Sequence, residues 1–174
     1  MIALLADRDV SALLAHLRRH LAESGRGGDP IFGPRSADAP FDAEAAAERH
    51  LTAWGRDLDE PLWTRTWGLF VDGEVRGHVD LHGGRVPGEL HRAACGLGLE
   101  RPLRGQGHGR ALMEIVIAWG RKHGLAWIDL GVFAHNARAR ALYAGLGFVE
   151  LGTTRDRFRV DGTSIDDVAM TLAL

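Results

Sequence analysis

At 174 residues and 45% apolar content, the chain is long enough to bury one core and too apolar for a disordered or fibrous protein. Its 21 basic and 23 acidic side chains nearly cancel, leaving a net charge of -2, so no long-range field draws it to nucleic acid or to an anionic membrane. The longest uncharged apolar piece, Ile115-Val116-Ile117-Ala118-Trp119, falls far short of the ~20 residues that span a bilayer.

Residues 2–5 read as a short strand, and Asp7, Arg8 and Asp9 interrupt the N-terminus before an apolar leader could form, which sets the expected location as cytoplasmic. Val10, Leu13, Leu14, Leu17 and Leu21 then share one face at helical spacing, with Asp7 or Asp9 as the starting cap. Residues 24–40 are rich in Gly, Pro and Asp and read as a long loop. Residues 42–54 are alanine-rich, with Glu44 and Glu48 in the early turns, and predict a second helix.

Two strands over 67–71 and 75–81 flank Asp72-Gly73, a dipeptide suited to a tight hairpin. In the second, Val75, Gly77, Val79 and Leu81 alternate with Arg76, His78, Asp80 and His82, the pattern of a half-buried strand whose polar face meets solvent. Residues 90–99 are a further extended run in which Gly96 and Gly98 mark a bulge or a close backbone approach. A helix carrying Leu112, Ile115, Val116 and Trp119 on one face ends at His123-Gly124. A strand over 127–133, a short helix over 136–146, and two strands joined by Asp161-Gly162 complete the chain. The lone Cys95 forms no internal disulfide, which fits a reducing compartment, and reads as a small buried residue.

The chemistry concentrates where residues 97–99 run through a glycine-rich turn into the long helix. Glycines let main-chain N–H groups converge without Cβ obstruction, and the first helical turn adds unpaired donors and the positive dipole end. The result suits a pyrophosphate. A Walker loop is excluded because Gly109-Arg110-Ala111 lacks both the lysine and the hydroxyl. A Rossmann loop is excluded by the hairpins upstream, although Asp129 stands at about the right offset. Histidines His78 and His82 are too far apart along a strand for one metal ion, and no metal site is expected.

Arg104-x-x-Gly107-x-Gly109 resembles the acetyl-CoA pyrophosphate motif of the GNAT superfamily of N-acetyltransferases. Asn136-x-x-Ala139-x-x-Leu142-Tyr143-x-x-x-Gly147-Phe148 is similar to that family's second signature, and Asp161-Gly162 with Asp167-x-x-Met170 is similar to its closing hairpin. The resemblance runs from residue 67 to the C-terminus; the first 66 residues match in element order alone. It implies an α/β fold of the α+β type, with a mixed, mostly antiparallel, splayed sheet of about seven strands and helices on both faces. One domain over residues 1–174 is expected.

The resemblance further implies an acyltransferase using acetyl-CoA as co-substrate. Leu97 and Leu99 would pair with the cofactor arm through main-chain groups. Arg104, Gly105, Gln106, Gly107, His108, Gly109 and Arg110 would surround the pyrophosphate. Asn136 would contact the arm, cap its helix, or do both. Tyr143 matches the general acid that protonates the departing thiolate.

The general base is less fixed. An alkyl amine of pKa ~10.4 costs roughly 4 kcal/mol to deprotonate near neutral pH. Some members carry a carboxylate where this chain has Gly131, so that base is missing. His91 is the first candidate, Glu89 stands beside it, and His78, Asp80 and His82 are further ones. The acceptor is expected to be a small-molecule amine, with a protein N-terminus or lysine as the alternative. Its selectivity should come from the first two helices and the loops over 24–40 and 82–90. A non-catalytic CoA-binding sensor or scaffold is the competing class. Neither nucleic acid nor membrane is an expected partner, and a homodimer is left open.

Overall fold

The computed structural model describes residues 1–174. Seven strands and four helices form in the anticipated order: β1 (Ile2–Leu4), α1 (Val10–Leu21), α2 (Ala43–Trp54), β2 (Thr64–Val71), β3 (Glu74–Gly83), β4 (Arg92–Leu99), α3 (His108–Lys122), β5 (Trp127–Phe133), α4 (Ala137–Ala144), β6 (Val149–Val160) and β7 (Thr163–Ala173). They build one sheet in the order β1-β2-β3-β4-β5-β7-β6, in which only the β4–β5 pair is parallel. No helix is long and apolar enough to cross a membrane.

The two faces of the sheet follow strand alternation. Trp67, Val79, Leu81, Ile128, Leu130, Val132, Val168 and Met170 point to one side, where Leu112, Met113 and Val116 of α3 and Tyr143 of α4 close the main core. The opposite side is far more polar. It carries Thr64 and Thr66 of β2, His78, Asp80 and His82 of β3, Asp129 of β5, and Asp167 and Thr171 of β7, with α1 against β3 and α2 against β2.

Here the structure corrects one expectation. The polar face of β3 is not solvated over its length: His78 and Asp80 are both 8% exposed, because α1 lies across them. The helix meets them with polar groups of its own, since His16 and His20, one turn apart, are buried with Leu13 and Leu14. Two polar stripes can bury each other when their donors and acceptors match, and strand alternation alone does not report the partner.

A second expectation resolves one way. β3 and β4 stay in unbroken register from Gly77↔Leu99 to Gly83↔Ala93, so Gly96 and Gly98 mark no bulge. Gly98 serves close approach, since a Cβ there would collide with the rings of His78 and His20, whereas one on Gly96 would meet open space.

Candidate active site

β4 and β5 are paired only over Arg92↔Trp127, Ala93↔Ile128 and Ala94↔Asp129. Beyond that point they separate, leaving Cys95–Leu99 with a free edge in the middle of a sheet. Glu100 donates its N–H to the Arg76 carbonyl across β3. By alternation the even residues of β4 face β3, and Cys95, Leu97 and Leu99 turn their N–H and C=O groups into the gap. The Leu99 carbonyl is taken by Arg104 Nε at 2.9 Å. Unpaired main chain at this depth is a ready template for an extended, amide-bearing ligand.

The gap runs directly into the glycine turn. Arg104 N–H bonds to Arg101 O at 3.2 Å, and the next main-chain bond is Ala111 N–H to Gly107 O at 3.1 Å. None of the six N–H groups from residue 105 to residue 110 has a main-chain acceptor. Gly105 and Gly107 hold φ of 82° and 85°, a region that disfavours side chains, and Gly107 caps α3. A Cβ on Gly107 would meet nothing within 4 Å, so the donors open outward. The Gln106 side chain folds back onto the Pro102 carbonyl at 2.5 Å and holds the turn. Arg138 in the first turn of α4, which sequence reasoning missed, brings its guanidinium to 2.5 Å from where a Gly105 Cβ would stand. Its position next to the capping Asn136 was the available signal. Six N–H groups without a main-chain acceptor, a helix N-terminus and a nearby guanidinium are chemistry suited to a diphosphate.

Arg104 itself points elsewhere. Its guanidinium pairs with Glu23, with Asp29 at 2.7 Å, and lies 5.0 Å from the centre of the Phe32 ring. Phe32 stacks on His20 from its other side at 4.6 Å. Arg101 holds the same loop through Asp29 at 2.7 Å and the Arg26 carbonyl at 2.7 Å. At the far end of the loop the Ile31 carbonyl meets His135 Nε2 at 2.6 Å, just after β5. The loop over residues 22–42 is therefore a strap, tied at the end of β4 and again at the end of β5.

Leu97 and Leu99 send their side chains toward Gly109 of α3 and Leu142 of α4, leaving their main chain to the gap. Asn136 caps α4 by accepting from the Ala139 N–H at 3.1 Å. Tyr143 is 8% exposed, and burial, with the Cys95 thiol next in effect, pushes its phenol well above its usual pKa. It is therefore a protonated donor throughout the physiological range. Cys95 is likewise pushed up by burial and sits 3.7 Å from the Met113 sulfur, the setting of an inert core thiol.

His91 is exposed and precedes β4, four residues from Cys95, or ~13 Å along an extended strand. Glu89 also lies outside β4, bonded to the Arg85 N–H at 2.8 Å. On the polar face, burial lowers His16 to about 4 and His20 to about 3, so both are neutral at pH 7. Burial opposes the charge of Glu100, but hydrogen bonds from His16, Arg19 and Arg76 prevail and keep its pKa below the usual range. An ionised Glu100 accepts from His16 Nδ1 at 3.0 Å, so His16 Nε2 accepts in turn from His78 Nδ1 at 2.9 Å. Asp80 accepts from Thr66 at 2.5 Å and lies 3.6 Å from His78 and 3.9 Å from His82.

Also on the polar side, a cavity of about 390 Å³ opens between β4, β5 and β7, lined by Arg92, Ala94, Asp129, Gly131, Leu151 and Ala169 among others. Arg92 grips Asp129 through two bonds of 2.8 and 2.7 Å, with Thr171 donating to the same carboxylate at 2.6 Å. The cavity adjoins the gap where the free edge of β4 begins, opposite the side filled by Tyr143. Two reactants could meet there, one along the gap and one from the cavity.

Comparison with known proteins gives a consistent answer. The model of the Acetyltransferase (GNAT) family matches residues 32–148. The uncharacterized N-acetyltransferase YycN of Bacillus subtilis is 40% identical over 113 residues, which is 64% of this chain and 72% of that protein. The ribosomal protein bS18-alanine N-acetyltransferase of Escherichia coli is 41% identical over 69 residues, covering 40% of this chain and only 47% of the relative. Among solved structures, yncA from Salmonella typhimurium with its cofactor acetyl-CoA superposes with a TM-score of 0.78 at 19% identity, over 100% of this chain and 93% of that one. At that identity the match speaks for the fold.

Proposed function

The chain belongs to the GNAT family of acetyltransferases, with acetyl-CoA as acyl donor, and from that premise we propose direct transfer of the acetyl group to the primary amine of a small molecule. The observation that carries this reading is the run of six unpartnered N–H groups at the turn into α3, continuous with the free edge of β4. The diphosphate of the donor would rest on residues 105–110, with Arg138 beside it. The pantetheine amides would pair with the main chain of Leu97 and with the Leu99 N–H, the Leu99 carbonyl being held by Arg104. That path brings the thioester toward Cys95 and Tyr143, where β4 and β5 part.

In a ternary complex the amine nitrogen attacks the thioester carbonyl from the cavity side. The C–N bond forms, the C–S bond breaks, and Tyr143 supplies a proton to the sulfur. Main-chain N–H groups of the free edge would stabilise the oxygen as charge develops on it. The roughly 390 Å³ cavity suits a small amine. A protein N-terminus is the second reading, favoured by the similarity to the bS18-alanine N-acetyltransferase.

The test is thiol release from acetyl-CoA in the presence of small primary amines and of a peptide beginning with alanine. Turnover with the small amines supports the first reading, and turnover with the peptide alone moves the assignment to the second. Binding of acetyl-CoA without turnover of any amine would make the chain a sensor or scaffold.

A further inference from the structure

The cleft needs a group to take a proton from the incoming amine, and the carboxylates around it are mostly engaged. Asp129 is gripped by Arg92 and Thr171. Asp80 is bonded to Thr66 beneath the helices. Glu100 is shared among His16, Arg19 and Arg76, and Asp166 accepts from the Asp156 N–H at 2.8 Å. Asp167 is different. It stands on β7 opposite Phe133, on the polar face of the sheet, with no hydrogen bond or ion pair to its carboxylate.

Its side chain leans along β5. A Cβ built on Gly131 would lie 2.9 Å from Asp167 Oδ2 and 3.1 Å from Oδ1. Gly131 does not have a positive φ, so its backbone would accept any residue; what requires glycine here is the space. Gly131 and its register partner Ala169 are both exposed and line the 390 Å³ cavity. The smallest residues of β5 and β7 thus clear a path between this carboxylate and the amine site.

We infer that Asp167 is the general base of the reaction, its carboxylate reaching from β7 into the space that Gly131 leaves vacant on β5. The inference rests on the acetyltransferase reading above. The carboxylate takes one proton from the ammonium form of the acceptor and passes it to solvent. The free amine forms the C–N bond, the second proton leaves nitrogen as the C–S bond breaks, and sulfur is protonated. The sum is ammonium plus thioester to amide, thiol and one proton.

Burial raises the pKa of Asp167, with Arg157 of β6 pulling the other way, which suits a base better than an ordinary surface carboxylate. Asp129, on the same face of β5, is neutralised by Arg92, and Asp166 faces away.

The experiment uses the whole protein with acetyl-CoA and three probes: ethanolamine, benzylamine and a peptide beginning with alanine. Asp167→Asn should lower kcat/KM for the amine by about 100-fold or more, with KM for acetyl-CoA within about twofold of wild type. The part of the acid limb that Asp167 contributes should vanish with it, leaving a rate that rises with pH as the free-amine fraction of the acceptor grows. Asp166→Asn, the neighbour turned to the other face, should stay within about threefold. Moving the carboxylate to β5 in the double variant Gly131→Glu, Asp167→Ala should recover at least about tenfold of the loss. An Asp167→Asn enzyme within about threefold of wild type, or a comparable loss in His91→Ala instead, overturns the assignment of the base alone. A wild type that binds acetyl-CoA yet turns over none of the three probes overturns the function reading, and this assignment with it.

Discussion

In the proposed mechanism Tyr143 carries the proton for the departing sulfur, and burial keeps its phenol in the protonated form. With its phenol pushed up by burial, it stays protonated well past neutral pH, so kcat should show no alkaline decline up to about pH 10 from this group. Tyr143→Phe should lower kcat by about 10- to 100-fold and leave KM for acetyl-CoA nearly unchanged, read by steady-state kinetics. An unaltered kcat would remove the tyrosine from the mechanism. This residue was legible in the sequence because it belongs to a local pattern that begins at Asn136. Asp167 was not, because its relation to Gly131 exists only once β7 lies beside β5 in register. In the sequence, Gly131 marks the missing carboxylate and the candidates for its replacement lie along β3 and just before β4, whereas the nearest unpaired carboxylate comes from a strand much later in the chain.

At the scale of elements, the splayed edge of β4 and the turn into α3 act as one surface. Gly107→Ala forces a side chain onto a residue with φ of 85°, at a cost of ~1–2 kcal/mol, and should raise KM for acetyl-CoA while leaving the amine KM unaffected. The strap makes the opposite prediction. Arg104→Ala releases Glu23, Asp29 and Phe32 together, and should raise the amine KM by about fivefold or more, with a smaller change for acetyl-CoA. A larger change for acetyl-CoA would show that the guanidinium leaves the strap to meet the diphosphate. Every strand and helix was readable from periodicity and turn residues, because each of those signals is local. In the sequence the strap shows only as a Gly-, Pro- and Asp-rich loop. Its anchors, Arg101 and Arg104, lie more than 70 residues downstream of Asp29 and Glu23, and no local pattern links them.

Across the whole molecule, the covered polar face sets the response to acid. His16 and His20 have folded pKa values of about 4 and about 3 against 6.5 in the unfolded chain, so between pH 6.5 and 3 the unfolded state binds protons that the folded state excludes. Both contributions are present in full above pH 6.5 and fade as the pH falls through that window. Glu100, depressed by its partners, adds a loss of the same sign lower down. From the two histidines alone, stability should fall by roughly 4 kcal/mol between pH 7 and pH 5, and the melting temperature by about 10 °C. A melting temperature flat over that range would mean that the histidines are hydrated or charged in the native state. The sequence showed the histidines of β3 but not their burial, since it displays a strand's alternation without saying which helix will cover it.

Calorimetric titration of the protein with acetyl-CoA and with S-acetyl-pantetheine, which has the thioester and both amides but no diphosphate, isolates what the diphosphate contributes to binding. If the donors of residues 105–110 grip the diphosphate, acetyl-CoA should bind about 100-fold tighter or more, and Gly107→Ala should erase much of the difference. Equal affinity for the two compounds, or no heat with acetyl-CoA, would contradict the account.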